Sequence, residues 1–237
     1  MSIKISILYD NRSHDPHLQE GWGFSALIES DGYKILFDTG GDAKAFAANA
    51  EKMQIPFSQI THLVFSHRHW DHIAGLLQVV EALNKDALLY IPRGFPWLLA
   101  KKAASRLKTT RVKDSMPIAP HVFSLVLRGG FWLYEQALLL QTPSGIGVLT
   151  GCAHPGIIAI IKQAQRYLQK PIAFVIGGFH LLYTSAEHSE NIVKEFQELG
   201  VQKVAPCHCS GEHVIRKFEK AYGSNFLKVG TGAALTF

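Results

Sequence analysis

Hydrophobic positions along this chain change their period repeatedly, and each change marks an element. Period-two alternation over residues 3–9 predicts an opening strand, and the polar stretch from Asp10 to Gly23 reads as a long surface loop. Trp22 to Glu29 and Tyr33 to Phe37 predict a hairpin turning at Ser30-Asp31-Gly32, and the Ala-rich run 43–50 predicts a helix. Residues 61–65 have the apolar, β-branched pattern of a short buried strand, 73–83 look helical, and 87–91 read as another strand. Residues 92–120 break the rhythm with Pro92, Gly94, Pro96, Pro117 and Pro120 around a helical piece. From 121 to 140 two strand-like runs flank Arg128-Gly129-Gly130, taken as the turn. Strands at 146–149, 171–176 and 201–205 then alternate with helices at 157–168, 187–199 and 211–221, and 226–237 reads as a closing strand pair. Strands alternating with helices imply an α/β layer fold, and no repeat of solenoid period is present.

Chemistry concentrates in Ser66-His67-Arg68-His69-Trp70-Asp71-His72. These residues lie between a predicted strand and a predicted helix, so their side chains gather at a strand-to-helix turn. If the segment is extended, alternate side chains share a face; His67, His69 and Asp71 then converge, and His72 turns toward a second ion. Imidazole with carboxylate suits zinc first, with iron or manganese as alternatives.

His67-Arg68-His69-Trp70-Asp71-His72 resembles the H-x-H-x-D-H signature of the metallo-β-lactamase superfamily. The similarity runs the length of the chain through Phe37-Asp38-Thr39-Gly40, Thr150-Gly151-Cys152-Ala153-His154, Gly177-Gly178-Phe179-His180-Leu181 and Pro206-Cys207-His208-Cys209-Ser210-Gly211. It points to the branch of dihydropterin-6-methyl-4-(ribofuranosyl)aminobenzene phosphate synthases and related metal-dependent hydrolases. The resemblance implies a four-layer αββα sandwich, one domain over 1–237, with 92–120 an insertion beside the active site. It also implies a division of ligands: His67, His69 and His154 for one ion, and Asp71, His72 and His208 for another. Asp38 would support the metal turn; capping the helix at 43–50 is its other role on sequence grounds.

One departure from the family pattern is visible. Most two-metal members bridge their ions with an aspartate from a late strand, yet the last aspartate here is Asp114. His180 stands at the matching strand end as a tentative ligand or a catalytic acid, with Glu187 the other nearby candidate. Cys207 and Cys209 flank His208, and in an extended segment both would point away from it into the core. His14, His17, His62, His121, His188 and His213 have no supporting context.

Composition narrows the function. Of the 237 residues, 47% are hydrophobic and 18% charged, ordinary for a soluble globular protein. No apolar run reaches the length of a membrane span and no signal-peptide pattern opens the chain, so a cytoplasmic protein is expected. Three cysteines cannot all pair, which fits a reducing compartment. The formal net charge of +5 favours a small anionic substrate and is too mild to imply nucleic acid. The expected activity is hydrolysis, with Asp71 and His180 as the catalytic side chains and one or two divalent ions lowering the pKa of water. Two rivals stand beside it: the synthase chemistry of the branch, with release of diphosphate, and a non-catalytic metal or nucleic-acid module using the basic run 101–113. No oligomeric state can be read from the sequence.

Overall fold

The computed structural model describes residues 2–30 and 32–237. It contains a seven-stranded and a six-stranded sheet packed face to face with helices outside each. The first sheet uses β1 (Lys4–Tyr9), β2 (Ser25–Ser30), β3 (Tyr33–Phe37), β4 (His62–Val64), β5 (Leu88–Pro92) and β6 (Lys108–Val112) in that order. The second runs from β7 (Met116–Ala119) through β8 (Val122–Gly130), β9 (Leu133–Thr142), β10 (Gly145–Thr150) and β11 (Ile172–Gly178) to β12 (Lys203–Cys207). A short β13 (Ala234–Thr236) pairs antiparallel with β1 at the far edge of the first sheet.

Alternating residues of each strand supply two different cores. Ile3, Ile5, Ile7, Phe37 and Val64 of the first sheet meet Leu138, Leu140, Phe174 and Ile176 of the second, forming the inner layer. The opposite face of the first sheet, including Leu36, Leu63 and Leu89, is covered by α1 (Ala43–Lys52), α3 (Leu76–Ala82) and α4 (Trp97–Ala104). Val148, Val175 and Val204 of the second sheet lie under α5 (Ile157–Leu168), α6 (Ala186–Glu198) and α7 (Glu212–Tyr222). The result is the four-layer αββα sandwich that the resemblance implies. No described helix is long and apolar enough to cross a membrane.

Several local expectations need correction. Helix α1 is capped by Asp42, whose carboxylate accepts from the amides of Lys44 and Ala45, and not by Asp38. The run 92–120, expected as an insertion beside the site, supplies α4 and one edge strand to each sheet. The second hairpin turns at Phe131–Trp132: β8 runs through Arg128-Gly129-Gly130 with a register shift, and Trp132 takes a left-handed φ of 59°. Only β13 forms in the last twelve residues, because 226–231 make isolated bridges with other segments instead of pairing together. The loop after β1 does not lie wholly on the surface, since Asp10 is fully buried. Of the first hairpin's turn, Asp31 lies outside the described residues.

Candidate metal centre

The strand β4 ends at Val64, and the chain then bends at Ser66 and Arg68 and is extended at His69 before a single helical turn, α2 (Trp70–Ile73). That early helix breaks the period-two alternation after His69. Asp71 therefore does not join His67 and His69, as an extended segment would require; it turns with His72 toward the other side.

Side chains from the ends of β4, β10 and β12 converge at this turn. The ligand atoms of His67, His69 and His154 lie within 4.8 Å of one another, and so do those of Asp71, His72, Cys152 and His208. The two groups adjoin: the rings of His67 and His72 have centroids 4.2 Å apart. The structure thus brings together the residues of each set named on the resemblance, and places beside the second set Cys152, which sequence reasoning did not single out. His154 follows β10 and His208 follows β12, so both groups combine side chains from the two sheets.

Nearly every imidazole is held through Nδ1. His67 donates to Ser66 Oγ at 2.9 Å, and that hydroxyl donates in turn to Asp38 at 2.6 Å. His72 donates to the same Asp38 carboxylate at 2.7 Å, while the Ser66 amide occupies its other oxygen at 2.7 Å. His154 donates to Glu135 at 2.8 Å, and Glu135 also accepts the amides of Cys152, Ala153 and His154. His208 donates to Asn11 Oδ1 at 2.9 Å, while its amide donates to the buried Asp10. With Nδ1 occupied by a donated proton, each Nε2 presents a lone pair to the middle of the site.

Electrostatics follow from burial and these partners. Burial and the neighbouring His72 ring push His67 well below the ordinary histidine range, which keeps it neutral. Burial disfavours charge on His72 as well, yet the Asp38 carboxylate outweighs it and raises the pKa. Glu135 and Asp71 are held below the usual carboxylate range: their desolvation is exceeded by the His154 hydrogen bond and the His67 ring at Glu135, and by the adjacent His208 and His72 rings at Asp71. The carboxylates are thus ionised.

The donor set fits a divalent metal. Nε2 of His67 and Nε2 of His208 are buried without any hydrogen-bond partner, a state that costs about 1–3 kcal/mol per atom unless something binds there. A metal is the partner that two or three converging lone pairs can share.

His180 joins neither histidine group. It is exposed at the rim, with a left-handed φ of 56°, its ring 4.5 Å from that of His154 and its ligand nitrogen near Cys152 and Cys209. The Cys209 hydrogen bond leads the causes that raise its pKa. Cys207 packs in the inter-sheet core as expected, but Cys209 does not. Residues 208–210 form a 3₁₀ turn entered with His208 at φ 47°, so alternation fails and the Cys209 sulfur faces the site. Glu187, at the start of α6, belongs to none of the three groups. Among the supporting residues, Asp38 was visible in the sequence, whereas Glu135, Asn11 and Asp10 were not. Gly129, read as a turn former, has another role: a Cβ there would stand 2.6 Å from the His154 Cβ. Gly178 likewise admits the Cys209 sulfur, which a Cβ would meet at 2.7 Å.

The family model described as the metallo-beta-lactamase superfamily matches residues 20–158. The 7,8-dihydropterin-6-methyl-4-(beta-D-ribofuranosyl)-aminobenzene-5'-phosphate synthase of Methanocaldococcus jannaschii is 27% identical, over 92% of this chain and 90% of its own. The crystal structure of Tm1679, described as a metal-dependent hydrolase of the beta-lactamase superfamily, superposes with a TM-score of 0.83 at 27% identity and covers 98% of both chains. YhfI from Bacillus subtilis, a metallo-beta-lactamase fold protein, gives 0.73 at 15% identity over 100% of this chain and 99% of its own, a likeness of fold.

Proposed function

The chain belongs to the metallo-β-lactamase superfamily, and on that premise we propose that it is a metal-dependent hydrolase of a phosphoester or another small anionic molecule. The observation that carries this reading is the convergence of His67, His69 and His154, three nitrogens within 4.8 Å of one another that form a group of three among the described residues. Closed sites are structural, whereas three protein ligands leave a position for a reacting group. His67, His69 and His154 would hold one divalent ion, and Asp71, His72 and His208 a second, with zinc the best match to the donors. When bound, such ions lower the pKa of water toward neutrality and polarise a phosphoryl or carbonyl oxygen.

The protein's own groups do the rest. Asp71, ionised and part of the second group, would accept a hydrogen bond from the attacking water and aim its lone pair at the substrate. His180 stands at the rim with a raised pKa, placed to give a proton to the departing oxygen. Trp22, Leu181, Leu182 and Tyr183 line a cleft of about 380 Å³ beside His180, large enough for a small organic substrate. The formal charge of +5 favours an anion there.

A second reading is supported by the similarity to the M. jannaschii synthase: the chemistry implied by the resemblance, joining a ribofuranosylaminobenzene phosphate to a dihydropterin diphosphate. The same residues would then stabilise a diphosphate leaving group. Purified protein of measured metal content decides between them. Turnover of single phosphoesters, lost on chelation and restored by zinc or manganese, is expected; pyrophosphate release only when both synthase substrates are present would replace the hydrolase reading with the synthase one.

A further inference from the structure

We infer that Cys152 is the fourth ligand of the second ion, so that Asp71, His72, Cys152 and His208 close around it and the three-histidine position alone stays open. The inference rests on the metal-centre reading proposed above and extends it to a residue which that reading did not use.

Spacing is the first support. His72 Nε2 lies 3.2 Å from Cys152 Sγ and 3.7 Å from Asp71 Oδ2, and His208 Nε2 lies 3.4 Å from the same Asp71 oxygen. A tetrahedral zinc with bonds of about 2.0 Å to nitrogen or oxygen and 2.3 Å to sulfur sets its donors roughly 3.3–3.5 Å apart. The three edges, at 3.2, 3.7 and 3.4 Å, straddle that range, and all four atoms lie within 4.8 Å of one another.

Orientation is the second. His208 Nε2 is fully buried and makes no hydrogen bond, although an Asp71 carboxylate oxygen lies 3.4 Å away. A nitrogen that approaches an acceptor without bonding to it is aimed at a point between them. Cys152 is fixed from behind, its amide donating to Glu135 at 2.9 Å, and it is only 4% exposed. A purely structural thiol would be surrounded by aliphatic side chains, whereas this sulfur meets an imidazole nitrogen.

Charge is the third. The chain has no aspartate after Asp114, so no late-strand aspartate can neutralise the ions. A Cys152 thiolate together with Asp71 supplies two negative charges against one divalent cation. Binding would transfer the Cys152 thiol proton to solvent, leaving the sulfur lone pair on the ion. The three neutral imidazoles of the other position leave its ion with the full double charge, the stronger Lewis acid of the two.

Cobalt(II) loading of the intact protein tests this without reference to turnover. Wild type and Cys209→Ser are expected to show a thiolate-to-cobalt charge-transfer band in the near ultraviolet. Cys152→Ser should lack the band and bind the second ion more than about a hundredfold less tightly, beyond the loss that a missing supporting partner causes. A wild-type protein that binds cobalt without the band, a band that survives in Cys152→Ser, or one that vanishes in Cys209→Ser would overturn the assignment of Cys152. Failure of the wild type to bind cobalt at all would overturn the metal-centre reading itself, and this inference with it.

Discussion

A histidine becomes a dependable ligand when its other nitrogen has a fixed partner, and here those partners come from all along the chain. Ser66 adjoins His67, but Glu135 reaches His154 from β9, and Asn11 reaches His208 from the first loop. Glu135→Gln should therefore weaken the ion at His67, His69 and His154 by about 10–100-fold, as a metal titration will show, because the amide cannot accept from three backbone donors and the His154 ring together. His180 is different in kind. Its removal takes away a rim group and leaves both ligand sets intact, so His180→Ala should lower turnover about a hundredfold while metal content stays unchanged. Loss of an ion in that variant would make His180 a ligand instead. Most ligand candidates could be read from the sequence because four of them sit within residues 66–72, and local spacing is what a sequence displays. Glu135 and Asn11 could not be, since nothing near them in sequence distinguishes them from a strand carboxylate and a loop amide.

At the scale of elements, the departures from simple periodicity mark the site. The helical turn at Trp70–Ile73 splits the signature between two groups, and the 3₁₀ turn at His208–Ser210 turns Cys209 toward the metal centre instead of the core. Asp38, Ala153, His180 and His208 all adopt positive φ, a conformation that costs non-glycine residues of order 1–3 kcal/mol and persists where surrounding contacts enforce it. Period and propensity placed the helices well: residues 157–168 form α5 as expected from their apolar spacing. They could not place the β8–β9 turn, because the bulge that shifts it falls at Gly129, where His154 from a segment distant in sequence packs against the backbone. Gly129→Ala should accordingly push His154 out of position. We expect a folded protein with unchanged circular dichroism and at least tenfold weaker binding of one ion, on the scale of a disturbed supporting contact; undiminished affinity would show that the hairpin yields instead.

For the whole molecule, the decisive feature is that each ligand group draws on both sheets. His67 and His69 follow β4 and His154 follows β10; Asp71 and His72 follow β4 and His208 follows β12. Ligand-linked stability should follow: at a free metal concentration a hundred times the dissociation constant, about 2.7 kcal/mol is added to the folded state. For a chain of this size that corresponds to a melting temperature roughly 5–10 °C higher with metal than after chelation, measurable by calorimetry. Seen as polymer physics, the two proposed ions would be reversible cross-links. One would join residue 69 to residue 154 and the other residue 72 to residue 208, closing loops for which a permanent covalent link would remove roughly 4–5 kcal/mol of chain entropy from the unfolded ensemble. Because both ties would sit at one end of the sandwich, the opposite end has no such tie and relies on strand pairing and on apolar contacts such as the stacked rings of Phe174 and Phe237. Stripping the metal should then let amide hydrogens exchange faster around the ends of β4, β10 and β12 while the Phe174–Phe237 end keeps its protection, so that the chelated protein opens like a hinge from the side where it works.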